Sequence, residues 1–165
     1  MRNKAVFKLT LAGLLIALGV AASPFNIPFG AAKCFPVQHL VNVLGAVLLG
    51  PWYGVSMAFI TSFIRVSVGT GTLLAFPGSM CGAFLCGVVY KHSKNLYLTY
   101  LGEVVGTGVV GALLAYPVAA FLLGRDAALF AYVIPFGIST LGGTVIAAFL
   151  ISVFKKTKLL KEVLT

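Results

Sequence analysis

The sequence predicts an all-α integral membrane protein of six transmembrane helices, and three observations carry that prediction. Only 9% of its 165 residues are charged and 60% are hydrophobic, against about a quarter charged in a soluble domain. The apolar residues fall into runs near the roughly 20 residues that cross a hydrocarbon core of about 30 Å. Those runs use nearly the whole chain, so residues 1–165 are read as a single membrane domain with no separate soluble part.

Taken in order, the predicted spans are 5–22, 38–50, 52–68, 73–90, 96–123 and 127–154. The first follows Arg2, Lys4 and Lys8 and ends in Ala21-Ala22, a pattern shared with signal peptides. Its apolar run is long for a signal peptide, so it is read as a retained helix. Residues 23–37 hold Pro24, Pro28 and Pro36, which resist helix formation, among Phe25, Ile27, Phe29 and Phe35. A loop this apolar is expected to fold back over the protein as a lid. Gly50-Pro51 marks a tight turn, and Trp52 and Tyr53 stand where interfacial anchors do. Gly69-Thr70-Gly71-Thr72 reads as a turn, and Pro77-Gly78 is expected to interrupt the fourth span near its start. A polar loop, Lys91 to Asn95, precedes a fifth span long enough to tilt. Gly124-Arg125-Asp126 is a further turn, and Pro135 is expected to kink the sixth span.

The net charge is +9. The basic residues sit at the two ends and in one short loop, not in a stripe with interleaved aromatics, which argues against a nucleic-acid surface. Six spans place Arg2, Lys4, Lys8, Lys91, Lys94, Lys155, Lys156, Lys158 and Lys161 on one side, with Lys33 and Arg125 on the other. The positive-inside rule then puts both termini in the cytoplasm of a plasma-membrane protein, with the lysines against anionic lipid. Cys34, Cys81 and Cys86 are odd in number and apolar in setting, and are read as small fillers, not disulfide partners. No phosphate-binding Gly-rich loop ends in Lys and Ser or Thr, and no Ser-His-Asp set or histidine pair stands at a useful spacing. His39 and His92 fall on opposite sides. No catalysis, metal or cofactor is expected of this chain.

Polar side chains inside apolar spans are costly, and so mark candidate sites. Lys33, Gln38, His39, Asn42, Arg65, Thr70, Thr72 and Ser79 gather toward the outer face. Gln38 and Asn42, four apart, share a helical face, while Phe35 and Phe76 offer stacking surfaces. A mostly apolar pocket with a few convergent polar groups is the usual form of a small-molecule site. The plainer reading is that these groups satisfy irregular backbone around the prolines. Glu103 starts about six residues in from the cytoplasmic side, roughly 9 Å deep at 1.5 Å per residue, and is not expected to reach Arg65. It stands open as a proton carrier, a substrate ligand or a structural partner. Gly13, Ala17 and Ala21 form a small-residue stripe that suits either internal packing or docking of another membrane subunit. A second stripe, Gly102, Gly106 and Ala112 with Gly108 and Gly111, reads as internal packing.

Several of these segments are similar to a known family. Ala31-Ala32-Lys33-Cys34-Phe35-Pro36-Val37-Gln38-His39-Leu40-Val41-Asn42, then Leu49-Gly50-Pro51-Trp52-Tyr53, Arg65, and Gly69 through Ser79 resemble the ThiW family. These are substrate-binding S components of energy-coupling factor (ECF) vitamin transporters, assigned to the thiazole precursor of thiamine. The most specific parts are Pro36-Val37-Gln38-His39 and Ala75-Phe76-Pro77-Gly78-Ser79. The resemblance implies a six-helix fold with the ligand near the outer face, under the loop joining the first two helices. It implies that Ala17 and Ala21 dock on a transmembrane coupling protein, and that two cytoplasmic ATPases drive the S component to topple. The implied substrate is hydroxyethylthiazole. Gln38, His39 and Asn42 would then meet its ring nitrogen and hydroxyl, Phe35 or Phe76 would stack, and Thr70 and Ser79 would join them. Lys33, Arg65 and Glu103 would give polar support. The competing readings are a stand-alone proton-coupled transporter using Glu103 and a small intramembrane enzyme using His39.

Overall fold

The computed structural model describes residues 4–29, 32–126 and 128–156. Arg2, Ala31, Ala127, Lys158 and Lys161, which the span, charge and motif readings use, lie outside them. Six helical rods carry the fold: α1 Lys4–Ala21, α2 Pro36–Leu48, α3 Pro51–Ser67, α4 Ala75–Ser93, α5 Leu96–Leu122 and α6 Val133–Lys156. By length and composition α1, α5 and α6 are long and apolar enough to cross a membrane, and α2 is a shorter apolar helix.

The chain is polar inside and apolar outside. Leu14, Phe59, Phe63, Leu101, Leu114, Leu141, Val145 and Phe149 are exposed, while Thr61, Ser62, Arg65, Thr99, Glu103, Thr107, Ser139 and Thr140 are buried. An apolar surface this continuous is stable against lipid and not against water. The protein is a multi-pass membrane protein.

Prolines set the helix starts. Pro36 and Pro51 open α2 and α3, where a missing N–H costs nothing. Gly50, with φ of 93°, turns the chain between them; that left-handed backbone favours glycine. Pro77 and Pro135 each fall at the third residue of their helices, α4 and α6. First-turn N–H groups have no intrahelical partner, so Pro77 does not interrupt α4 and Pro135 does not kink α6, contrary to expectation. The sixth rod accordingly starts at Val133, later than the run from 127 suggested.

The loop before α2 also differs from an irregular lid. Ile27–Phe29 (β1) and Ala32–Cys34 (β2) form a short antiparallel hairpin with Ile27 opposite Cys34 and Pro28 opposite Lys33. Only its second strand folds inward: Cys34 and Phe35 are buried, whereas Phe25, Ile27 and Phe29 are exposed.

The fifth rod is not a uniform α-helix. It runs in π geometry over Gly106–Gly111 and again over Val118–Leu122, after Pro117. The first π stretch lies where glycines bring α5 against α4. A Cβ on Gly106 would stand 2.8 Å from the Cys81 carbonyl oxygen and from Gly82 Cα, and one on Gly111 would stand 2.6 Å from Gly78 Cα. α4 packs on α2, α3 and α5, and α2 lies between α4 and α6, so its residues Gln38 through Val47 are all buried. α1 is peripheral: only Ala12, Leu15 and Gly19 are buried, chiefly against α3.

Helix proximity makes a direct prediction. A Cβ on Gly87 would stand 2.5 Å from Pro51 Cα, whereas one on Gly137 would meet nothing within 4 Å. Gly87→Ala is expected to lower stability by about 1–3 kcal/mol. Gly137→Ala is expected to leave it unchanged or raise it by up to about 1 kcal/mol. Thermal unfolding in detergent checks both, and equal melting temperatures for the two variants would contradict this packing.

Candidate functional site

Two ends of the bundle differ in chemistry. At one, Lys94 and Lys155 flank the same groove, which joins the α4–α5 turn to the end of α6. At the other, Ser23 after α1 hydrogen-bonds Thr70 after α3 at 2.8 Å, and a cavity opens beneath the hairpin. Its volume is about 50 Å³, where one water needs about 10–15 Å³, so it holds a few waters. Lys33 and Phe35 from the hairpin end, Gln38 and His39 from α2, and Arg65 from α3 line it. Thr70 and Thr72 line it from the α3–α4 loop, Ser79 from α4, Thr107 from α5, and Phe136 and Ser139 from α6.

The α2 residues reach the cavity because Pro36 starts the helix directly below the hairpin. The Phe35 N–H donates to Ser139 Oγ at 2.7 Å, and the Cys34 thiol donates to the Pro135 carbonyl at 3.2 Å. These two bonds fasten the hairpin to α6. Burial raises the Cys34 pKa, which keeps the thiol protonated as a donor. The Arg65 guanidinium lies 3.8 Å from the Phe35 ring centre, a cation–π contact, and donates to Gln38 Oε1 at 3.4 Å.

Below the lining sits Glu103, fully buried. Its Oε1 lies 2.9 Å from His39 Nδ1, accepts from Asn42 Nδ2 at 3.0 Å and lies 3.1 Å from Thr107 Oγ1. Its Oε2 is buried without a hydrogen-bond partner. With Glu103 ionised and so acceptor-only, Nδ1 of His39 carries a proton. Asn42 Nδ2 also donates to the Ser79 carbonyl at 3.0 Å, and the Ser79 and Ser62 hydroxyls share a 3.0 Å hydrogen bond.

The structure thus brings together Lys33, Phe35, Gln38, His39, Arg65, Thr70 and Ser79 around the cavity, with Asn42 and Glu103 behind His39. Phe76 is not among the lining residues, and its ring packs on Phe59, 5.5 Å between centres. Gly13, Ala17 and Ala21 are exposed on α1. Depth arithmetic set Glu103 apart from Arg65 and named no partner for it; the structure gives it His39. α2 has only 13 residues, about 20 Å at 1.5 Å each, short of a hydrocarbon core of about 30 Å. Arg65 and Glu103 form no direct ion pair among the described residues; the close partner of the carboxylate is His39 Nδ1, at 2.9 Å. Sequence reasoning passed over Thr107, Phe136 and Ser139. Thr107 had a signal, four residues after Glu103 on one face; Ser139 sits in an apolar run with no such marker.

Removing Glu103 leaves His39 Nδ1 without its partner and takes one acceptor each from Asn42 and Thr107, which keep the Ser79 and Gly78 carbonyls. Glu103→Ala is expected to cost about 3 kcal/mol or more. Glu103→Gln keeps an acceptor but puts an amide N–H₂ where Oε2 has no partner, and should cost less. Melting in detergent checks the order, and a wild-type melt for Glu103→Ala would contradict it.

A family model described as "Thiamine-precursor transporter protein (ThiW)" matches residues 9–157. No curated protein and no solved structure matches the chain.

Proposed function

The chain belongs to the ThiW family of thiamine-precursor transporter proteins, and from that membership we propose that it is the substrate-binding S component of an ECF-type importer for hydroxyethylthiazole. The observation that carries this reading is the small cavity beneath the hairpin, walled by Phe35, Leu74 and Phe136 and carrying Gln38, His39 and Arg65. With Nδ1 bonded to Glu103, His39 leaves Nε2 free for the ligand's hydroxyl. Six crossings with both termini cytoplasmic follow from the basic residues of Lys4, Lys8, Lys91, Lys94, Lys155 and Lys156. The cavity then faces outward, where substrate arrives.

The energy comes from elsewhere in this reading. The exposed face of α1 carries Gly13, Ala17 and Ala21, and small residues let a helix of a transmembrane coupling protein approach closely. Two cytoplasmic ATPases complete the importer. A second reading, a stand-alone proton-coupled transporter, draws on the unpartnered Oε2 of Glu103. The three groups fixed on Oε1 favour a static carboxylate instead.

Equilibrium binding to the purified chain in detergent tests the proposal. Hydroxyethylthiazole should bind without ATP or partners, and thiamine and its pyrimidine precursor more weakly. Gln38→Ala and His39→Ala should each weaken binding about tenfold, the loss of one good hydrogen bond. Ala17→Trp with Ala21→Trp should bind the ligand normally yet abolish uptake in cells that hold the partner subunits. Absence of thiazole binding by folded protein would overturn the substrate. Uptake by vesicles containing this chain alone, driven by a pH gradient and lost in Glu103→Gln, would favour the second reading.

A further inference from the structure

We propose that Arg65 is an oxyanion-binding group and that the cavity prefers a thiazole carrying a carboxylate or phosphate ester over the neutral alcohol. The inference rests on the thiazole-uptake reading and specifies the charge of its ligand.

Arg65 is only 4% exposed, yet it lines the cavity. A guanidinium has five N–H donors in one plane. Here one nitrogen makes a single long bond, 3.4 Å to Gln38 Oε1, and the buried Nε has no partner. Phe35 covers one face of the group, a contact that holds the cation in place without using its in-plane donors. Such a fork matches the two oxygens of a carboxylate or phosphate.

No acid answers this charge from the lining. The cavity wall carries Arg65 and Lys33 but neither Asp nor Glu. Glu103 is behind the wall, with its Oε1 already shared by His39, Asn42 and Thr107. Asp126 is exposed beside Arg125 after α5 and is not part of the lining. A neutral alcohol would bring one oxygen to a guanidinium whose nearest carboxylate, Glu103, reaches it only through Gln38 and Asn42. An oxyanion supplies two acceptors and the compensating charge together, and electrostatic complementarity of this kind sets specificity.

The test compares three ligands on the purified chain in detergent: hydroxyethylthiazole, its phosphate ester, and the thiazole acetate in which a carboxylate replaces the terminal CH₂OH. At least one oxyanion is expected to bind about tenfold or more tighter than the alcohol. The phosphate and carboxylate arms show which anion fits. The preference should shrink as salt rises, fall to a ratio near one in Arg65→Gln, and survive in part in Arg65→Lys. Alcohol binding as tight as that of both oxyanions, or a preference untouched in Arg65→Gln, overturns the inference while leaving thiazole binding intact. If Arg65→Gln does not fold by its melting curve, Arg65→Lys and the salt dependence of the wild type decide: an unchanged ratio in both is the overturning result. Failure of all three ligands to bind folded protein overturns the thiazole reading itself, and this inference with it.

Discussion

One buried carboxylate organises the interior. Glu103 is fully enclosed in a chain whose outer surface is apolar, and a charge in that setting is costly unless donors surround it. The fold meets the cost by bringing three helices together at this point. α2 contributes His39 and Asn42, α5 adds Thr107, and α4 must come close without a side chain of its own in the way. Gly82 supplies that space: a Cβ there would stand 2.8 and 2.9 Å from the two carboxylate oxygens and would collide with the Thr107 hydroxyl. The backbone of α5 is held from its other side too, where Thr140 of α6 donates to the Glu103 carbonyl at 3.4 Å. Glycines along α4 and α5 are therefore electrostatic features as much as packing ones.

The same carboxylate orients the amides above it. Arg65 donates to Gln38, Gln38 donates to Asn42 at 3.3 Å, and Asn42 donates to Glu103. A guanidinium at one end can only donate and an ionised carboxylate at the other only accepts, so neither amide can be reversed without setting like groups against each other. Every hydrogen bond in the chain points inward, from the cavity wall to its base. Neighbouring polar bonds in a low-dielectric interior strengthen one another, which ties the exposed side of the site to its buried support. His39 belongs to both: it touches the cavity with its ring and Glu103 with Nδ1.

Much of this was readable from residues alone, and what was not has physical reasons. Low charge and long apolar runs announce a bundle in lipid. Gln38 and Asn42, four apart, do share a face and do bond. Proline is harder to read, since its local rule depends on position: Pro77 and Pro135 begin helices where a mid-helix proline would break them. The π stretch at Gly106–Gly111 arises from tertiary contact between two glycine-rich backbones, which no property of either segment announces alone. The hairpin needed two strands to find each other across a turn. Phe76 stands among the lining residues Ala75, Gly78 and Ser79 in sequence, but helical geometry turns it toward Phe59. The His39–Glu103 contact joins residues 64 apart on different helices, and no local property of either segment pairs them.

Rigidity is distributed unevenly, and this bears on how such a chain can serve as a binding unit. α2, α4, α5 and α6 share the polar core around Glu103, so moving any of them breaks hydrogen bonds that lipid cannot replace. α1 takes no part in that core. Its inward contacts are Ala12, Leu15 and Gly19, with Gly19 close enough that a Cβ would stand 2.9 Å from the Thr61 methyl. Its outward face carries Gly13, Ala17 and Ala21 among Leu9, Leu14 and Leu18. Association of helices in lipid depends on close backbone approach, not on hydrophobic gain. A helix that is small-sided outward and loosely held inward can take on a partner without disturbing the ligand cavity. The exposed small-residue face of α1 is thus separate from the polar core, as the division of labour in the proposed importer requires.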